Sequence, residues 1–208
     1  MDRLAAGGPS LRYAALGDSY TIGTSVAVAD RWPDRLVVAL SPGPPSLELV
    51  ANLGVDGYTT ADLIRDELPA LAGLRPDVVS VLIGVNDVVQ GWAADVYSRN
   101  VALILDAVLA IVPPDRAFTV GIPDYTVTPA GADYGDPTRR RAAIVEDNRM
   151  MAALAAERGI PFIDIFDLSS RAASDRLLVA SDGLHPSGAQ YALWVERIAP
   201  LVRERLAR

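Results

Sequence analysis

A three-layer α/β/α sandwich, built on five parallel strands in the order 2-1-3-4-5, is the α/β fold this sequence predicts. Three observations carry the prediction. Short apolar runs rich in β-branched residues recur at 11–16, 47–53, 78–83, 117–122 and 161–165. The runs are nearly continuous rather than alternating, as strands buried on both faces of a parallel sheet must be. Longer stretches of helical pattern separate them, and that alternation of types marks a doubly wound domain.

Taken in order, the first run leads into Gly17-Asp18-Ser19-Tyr20-Thr21. A helix over 30–40 follows, with Asp30 expected as its N-cap and Pro33 tolerable in its first turn. Ser41-Pro42-Gly43-Pro44-Pro45 reads as the loop entering the second strand. That strand ends near Asn52-Leu53-Gly54-Val55-Asp56-Gly57, and a helix over 60–71 comes next. The third strand ends in Gly84-Val85-Asn86-Asp87, before a long helix over 93–111. The loop 123–137 after the fourth strand is longer than a connection needs, so its Tyr125 and Tyr134 are expected to shape a pocket. A helix over 137–158 stops at Gly159, and the last helix covers 187–206, where Ser187 and Gln190 have the spacing of a capping box. With no repeat and no linker, residues 1–208 read as one domain, of which 1–10 form a flexible N-terminal segment.

Composition narrows the function. The formal net charge is −7 and all 19 basic residues are arginine, a balance that argues against nucleic-acid binding. Arg139-Arg140-Arg141 is a basic cluster, but Glu146 and Asp147 follow it, and it reads as a solvated helix start rather than an anion or partner site. Without cysteine there is no disulfide, thiol nucleophile or cysteine-based zinc site, and one histidine excludes a multi-imidazole metal centre. No metal or other cofactor is expected. The stretch 101–112 is interrupted by Asp106 and is shorter than the ~20 residues of a membrane span. The first residues lack the apolar core of a signal peptide, so a cytoplasmic location is expected, with a secreted mature form left open.

Ligands of such sheets bind beyond the carboxyl ends of the strands. Those ends carry Ser19, the 52–57 segment and Asn86, while Asp182 and the lone His185 precede the last helix. Singly, each has an ordinary structural reading: a capping serine, a turn glycine, a loop asparagine, an Asp-Gly turn and a surface histidine. Together they form the set that acyl transfer needs. Histidine is the side chain whose unperturbed pKa, roughly 6.5, suits it to take and return a proton near neutrality. Ser19 is then the nucleophile, His185 the general base and acid, and Asp182 the carboxylate that fixes the imidazole tautomer. The backbone N–H groups of Ser19 and Gly57 and the side-chain amide of Asn86 are the candidate oxyanion donors. Trp194 falls in a helical apolar pattern and is expected in the core, while Trp92 stands close enough to Asn86 to reach a pocket. Asp18 and Asp87 read as loop-fixing hydrogen-bond acceptors.

Gly17-Asp18-Ser19, Gly57, Gly84-Val85-Asn86-Asp87 and Asp182-Gly183-Leu184-His185 together resemble the four blocks of the SGNH hydrolases, the GDSL esterases and lipases. The resemblance spans nearly the whole chain. Tyr20 stands where the family phrase has leucine, and Gly54 is an alternative to Gly57 in the weakest block. Gly-x-Ser-x-Gly, the phrase of the α/β-hydrolases, is not met around Ser19. The resemblance implies a cofactor-free hydrolase of small-molecule carboxylic esters with short to medium acyl chains. A carbohydrate deacetylase, an acyltransferase on the same site, and a non-catalytic nucleotide- or ligand-binding domain are the alternatives.

Overall fold

A computed structural model describes residues 10–41, 43 and 46–207. The segment expected to be flexible lies, except for Ser10, outside the described residues, as do Pro42, Pro44 and Pro45 of the expected loop. Five strands form one sheet: β1 (Leu11–Gly17), β2 (Leu47–Asn52), β3 (Val78–Leu82), β4 (Ala117–Val120) and β5 (Phe162–Ile163). Their order is β2-β1-β3-β4-β5 and every pairing is parallel, as the apolar runs predict. The central strands β1 and β3 bury Tyr13 to Leu16 and the whole of Val78–Leu82. The edge strand β5 is shorter than the five residues expected, since only β4 pairs with it.

In chain order the α-helices are α1 (Ser19–Ile22), α2 (Trp32–Leu40), α3 (Thr60–Asp62), α4 (Leu68–Leu74), α5 (Val85–Gln90), α6 (Ala94–Leu109), α7 (Pro137–Glu157), α8 (Phe166–Ser170) and α9 (Gly188–Leu206). Right-handed crossovers dictate where they go. The step from β1 to β2 and the later steps run in opposite directions along the sheet, so α2 lies on one face while α4, α6 and α7 lie on the other. The packing agrees: α2 lies against α9, and α6 lies against α4 and α7. Trp32 and Trp194 are fully buried, so the expectation for Trp194 holds. The reversal of direction opens a crevice at the carboxyl ends of β1 and β3, where Ser19 begins α1 and Asn86 follows Val85 at the start of α5.

Three local expectations are corrected. Asp30 does not cap α2. It ends a 3-10 turn (Val28–Asp30), pairs with Arg35 instead, and Arg31 occupies the cap position without a side-chain bond. The helix expected over 60–71 is three pieces, with a π-helical turn (Leu63–Glu67) between α3 and α4. Pro69 is the cause: it has no N–H to give in the α register, and Leu68 N–H instead bonds five residues back to the Leu63 carbonyl. The capping box of α9 is half made. Ser187 Oγ accepts from Gln190 N at 3.3 Å, but the Gln190 amide donates to the Leu178 carbonyl rather than back to the cap.

Candidate active site

The turn that carries Ser19 is built by Asp18. Its Oδ1 accepts from Tyr20 N at 2.9 Å and caps α1, which sets Ser19 at the first helical position. The amide of Ser19 is thereby left without an intrahelical partner. Gly23 closes the turn in the left-handed conformation, and the N–H groups of Gly23 and Thr24 both donate to the Ser19 carbonyl. Ser19 is 7% exposed and lines the cleft described below.

Gly84 caps α5 at φ +125, where a Cβ would sit 2.6 Å from Tyr97 Cε2; a side chain there is excluded on both counts. Asn86 follows in the first turn. One of its amide hydrogens is tied to the Tyr58 carbonyl at 2.9 Å, which fixes the amide and leaves the other hydrogen for the cleft. Asp87 turns inward, accepting from Thr60 N at 2.9 Å and from Thr60 Oγ1, so it fixes a loop as expected. The two glycines of the second block differ sharply. Gly54 is packed so that an added Cβ would lie 2.8 Å from Asp18 O and Ile22 N, and its N–H is taken by Asn52 Oδ1. Gly57, at φ +80, lines the cleft with open space around it.

In the histidine loop, Asp182 Oδ1 accepts from Leu184 N at 2.8 Å and His185 N at 3.0 Å. Its Oδ2 stands 2.6 Å from His185 Nδ1 and accepts from Ser25 Oγ at 2.6 Å. Partial burial pushes this carboxyl up, but the four donors, Ser25 foremost, outweigh it and hold Asp182 well below the usual carboxylate range. An ionised carboxylate can only accept, so Nδ1 carries the proton and Nε2 is left as a base.

Ser19, Gly57, Asn86 and His185 line one cleft of about 190 Å³, with Tyr20, Asp56, Val85, Val89, Tyr125, Tyr134 and Leu184 completing its walls. Asp182 stands behind the imidazole. No Ser19–His185 hydrogen bond is made; catalytic hydrogen bonds are often long or poorly aligned before substrate binds and tighten only with it. Tyr125 and Tyr134 of the 123–137 loop pack edge to face with centroids 6.2 Å apart. Trp92 lies outside the cleft, its indole N–H held by Gln90 Oε1 at 3.1 Å. The arginine cluster is more than a solvated helix start. Arg140 donates to the Val88 carbonyl, and Arg141 pairs with buried Asp124 and covers the Phe166 ring, bracing the tyrosine loop.

Two buried carboxyl groups lie at the turn that carries Ser19, and one of them, Glu67, lies outside every motif block. Glu67 is 2% exposed; its Oε2 accepts from Gly17 N at 2.9 Å and its Oε1 has no partner. Asp18 Oδ2 is likewise buried without a partner. Burial above all pushes Glu67 up to about 9 and Asp18 up to about 8, and each is raised further by nearby acids. Nothing in the helical pattern around Glu67 sets it apart from a surface acid. Pro69, which forces the π turn, was the available signal.

The chain belongs to the GDSL-like lipase/acylhydrolase family, whose model matches residues 15–193, in agreement with the resemblance read from the sequence. Its fold is shared with TesA at 21% identity and a TM-score of 0.72, covering 93% of this chain and 99% of that one. An acetylxylan esterase from Geobacillus stearothermophilus is similar at 20% identity and a TM-score of 0.71, covering 92% and 94%. A member of the lipolytic G-D-S-L family from Veillonella parvula matches at 18% and 0.67, covering 91% and 96%. At these identities the likeness is one of fold. No curated protein sequence matches the chain. Among the described residues, no helix is long and apolar enough to cross a membrane.

Proposed function

We propose that this protein is a serine esterase that cleaves small carboxylic esters through an acyl-enzyme on Ser19. His185 Nε2 takes the Ser19 Oγ proton as Oγ bonds to the ester carbonyl carbon. The resulting oxyanion is received by the N–H groups of Ser19 and Gly57 and by the free amide hydrogen of Asn86. Collapse breaks the carbon–oxygen bond to the alcohol, which leaves with the imidazolium proton. Water then repeats the sequence and releases the acid. Asp182 holds the tautomer throughout and balances the imidazolium.

The observation that carries this reading is the convergence of a serine, a carboxylate-held imidazole and an anchored amide on one cleft. The cleft's volume of about 190 Å³ is below the roughly 300–1,000 Å³ of pockets for drug-sized ligands, which favours short acyl groups over long ones. A sugar deacetylase is the second reading, because Asp56 and the exposed Tyr134 give the cleft a hydrogen-bond acceptor and an aromatic ring for a hydroxylated alcohol. The acetylxylan esterase of like fold is consistent with it.

Purified protein should cleave p-nitrophenyl acetate and butyrate faster than the octanoate, and a fluorophosphonate should label Ser19. Ser19→Ala should lose both activities. Full turnover by Ser19→Ala refutes the mechanism, and absence of labelling favours a non-catalytic binding domain. Faster acetate release from acetylated xylo-oligosaccharides than from the simple esters selects the deacetylase.

A further inference from the structure

Resting on that esterase reading, we propose that Ser25 is a positioning residue of the same chemistry. Its hydroxyl sets the Asp182 carboxylate against the His185 ring and ties the histidine loop to the nucleophile turn. Ser25 lies outside every motif block, 157 residues from the carboxylate it touches.

The first support is how Asp182 is held. Its Oδ1 is fixed by two amides of its own loop, Leu184 N and His185 N. Its Oδ2 receives only Ser25 Oγ and His185 Nδ1, both at 2.6 Å. Without Ser25, that oxygen is held only by the ring it is meant to hold. The second support is backbone conformation. Ser25 adopts φ +65, a left-handed conformation that favours glycine or asparagine and disfavours a residue with a Cβ. Glycine would suit the backbone better but could not supply the hydroxyl. The third support is connection. Gly23 N and Thr24 N donate to the Ser19 carbonyl, and Thr24 Oγ1 bonds Asp56 of the cleft wall. Ser25 therefore ends the turn that Ser19 begins, and its bond to Asp182 sets one loop against the other.

The other titratable groups facing Asp182 are the phenols of Tyr20 and Tyr191, with the Arg31 guanidinium facing Tyr191. Burial above all raises both phenols well above their ordinary value, so neither changes charge across the working pH range. Removing the Ser25 donor therefore acts on Asp182 and, through it, on the imidazole.

Ser25→Gly and Ser25→Ala both delete the hydroxyl, but only glycine relieves the φ +65 conformation. Both variants are expected to lose about tenfold in kcat with KM within about twofold. The acid limb of kcat/KM should move upward by roughly half a pH unit, since Oδ2 then turns its whole charge on the imidazole. Ser25→Gly should nonetheless unfold at a higher temperature than Ser25→Ala. A purely backbone role gives a different pattern: Ser25→Gly keeps wild-type kcat and pH profile, and that result overturns the proposal. Ser19→Ala is measured alongside. Its full activity overturns the esterase reading and the Ser25 role with it, whereas an inactive Ser19→Ala beside unaltered Ser25 variants overturns the Ser25 role alone.

Discussion

Glu67→Gln tests the buried acid at the turn that carries Ser19. In the folded protein burial raises Glu67 from 4.5 to about 9, so the folded state keeps a proton that the unfolded chain gives up. Stability from a raised carboxyl is complete below about 4.5 and falls as pH climbs toward 9. Each pH unit in that window is worth about 1.4 kcal/mol, so moving from pH 4.5 to 7 costs the fold about 3 kcal/mol through this one side chain. Glutamine keeps an oxygen for Gly17 N–H and cannot ionise. Its amide nitrogen lies where Oε1 has no partner, which costs roughly 1–3 kcal/mol at every pH without altering the slope. Urea unfolding at pH 5, 6, 7 and 8, followed by the fluorescence of buried Trp32 and Trp194, reads the slope directly. The wild type should lose stability across this range, and Glu67→Gln should lose about 1.4 kcal/mol less per pH unit. Asp18 and Asp147, raised to about 8 and about 7, leave a smaller slope of the same sign in the variant. Parallel curves for the two proteins, or a wild type that gains stability from pH 5 to 8, refute the reasoning.

Asn86→Ala removes one of the proposed oxyanion donors and should lower kcat roughly 10²–10³-fold with little change in KM for p-nitrophenyl acetate. Gly57→Ala and Gly54→Ala separate the two glycines. The first meets open space but must hold φ +80, a strain of about 1–2 kcal/mol, while cutting kcat; the second strikes backbone Asp18 O and Ile22 N at 2.8 Å and should destabilise the fold further, and a Gly57→Ala less stable than Gly54→Ala contradicts the assignment. kcat/KM should decline on the acid side, because an imidazole already protonated cannot take the Ser19 proton, and a profile flat down to pH 4 removes His185 from its role. Arg140→Ala releases the Val88 carbonyl of α5 and removes the side chain that packs on Gly135 of the tyrosine loop, and it should raise KM more than it lowers kcat, as steady-state kinetics on the butyrate ester would read.

The sheet was legible because burial on both faces writes itself as unbroken apolar runs, and four of the five runs differ from their strands by only a residue or two. The one-turn helices α1 and α5 were not, since four to six residues are too few to show a period. The motif residues Ser19, Gly57, Asn86 and His185 were legible by their phrases, and they do meet at one cleft. What surrounds them was not. Ser25 sits among small residues after α1 and carries no sequence mark of its left-handed backbone. Arg140 and Arg141 look solvated because charge patterning says nothing of where a long side chain folds back to find a carbonyl or a carboxylate. Glu67 was hidden by the same logic. Only the proline two residues on, with its missing donor, betrays the π turn that carries it inward.

These hidden groups sort the acids around the site into two kinds, and the sorting has an electrostatic sense. Asp182, kept ionised by four donors, stands on the far side of the imidazole, where its charge favours the cation that on the proposed mechanism forms when His185 accepts a proton. Asp18, which caps the turn whose Ser19 amide on the proposed mechanism receives the oxyanion, and Glu67, which accepts from Gly17 N, are buried, lack donors on one oxygen each, and are pushed up by burial to about 8 and about 9. A charged carboxylate there would oppose the negative charge of the tetrahedral intermediate in a low-dielectric site. The chain carries 26 acidic residues against 19 basic ones, so keeping charge off this particular wall falls to burial rather than to composition. On this argument an added donor that ionises Asp18 slows acylation even though it satisfies a buried oxygen.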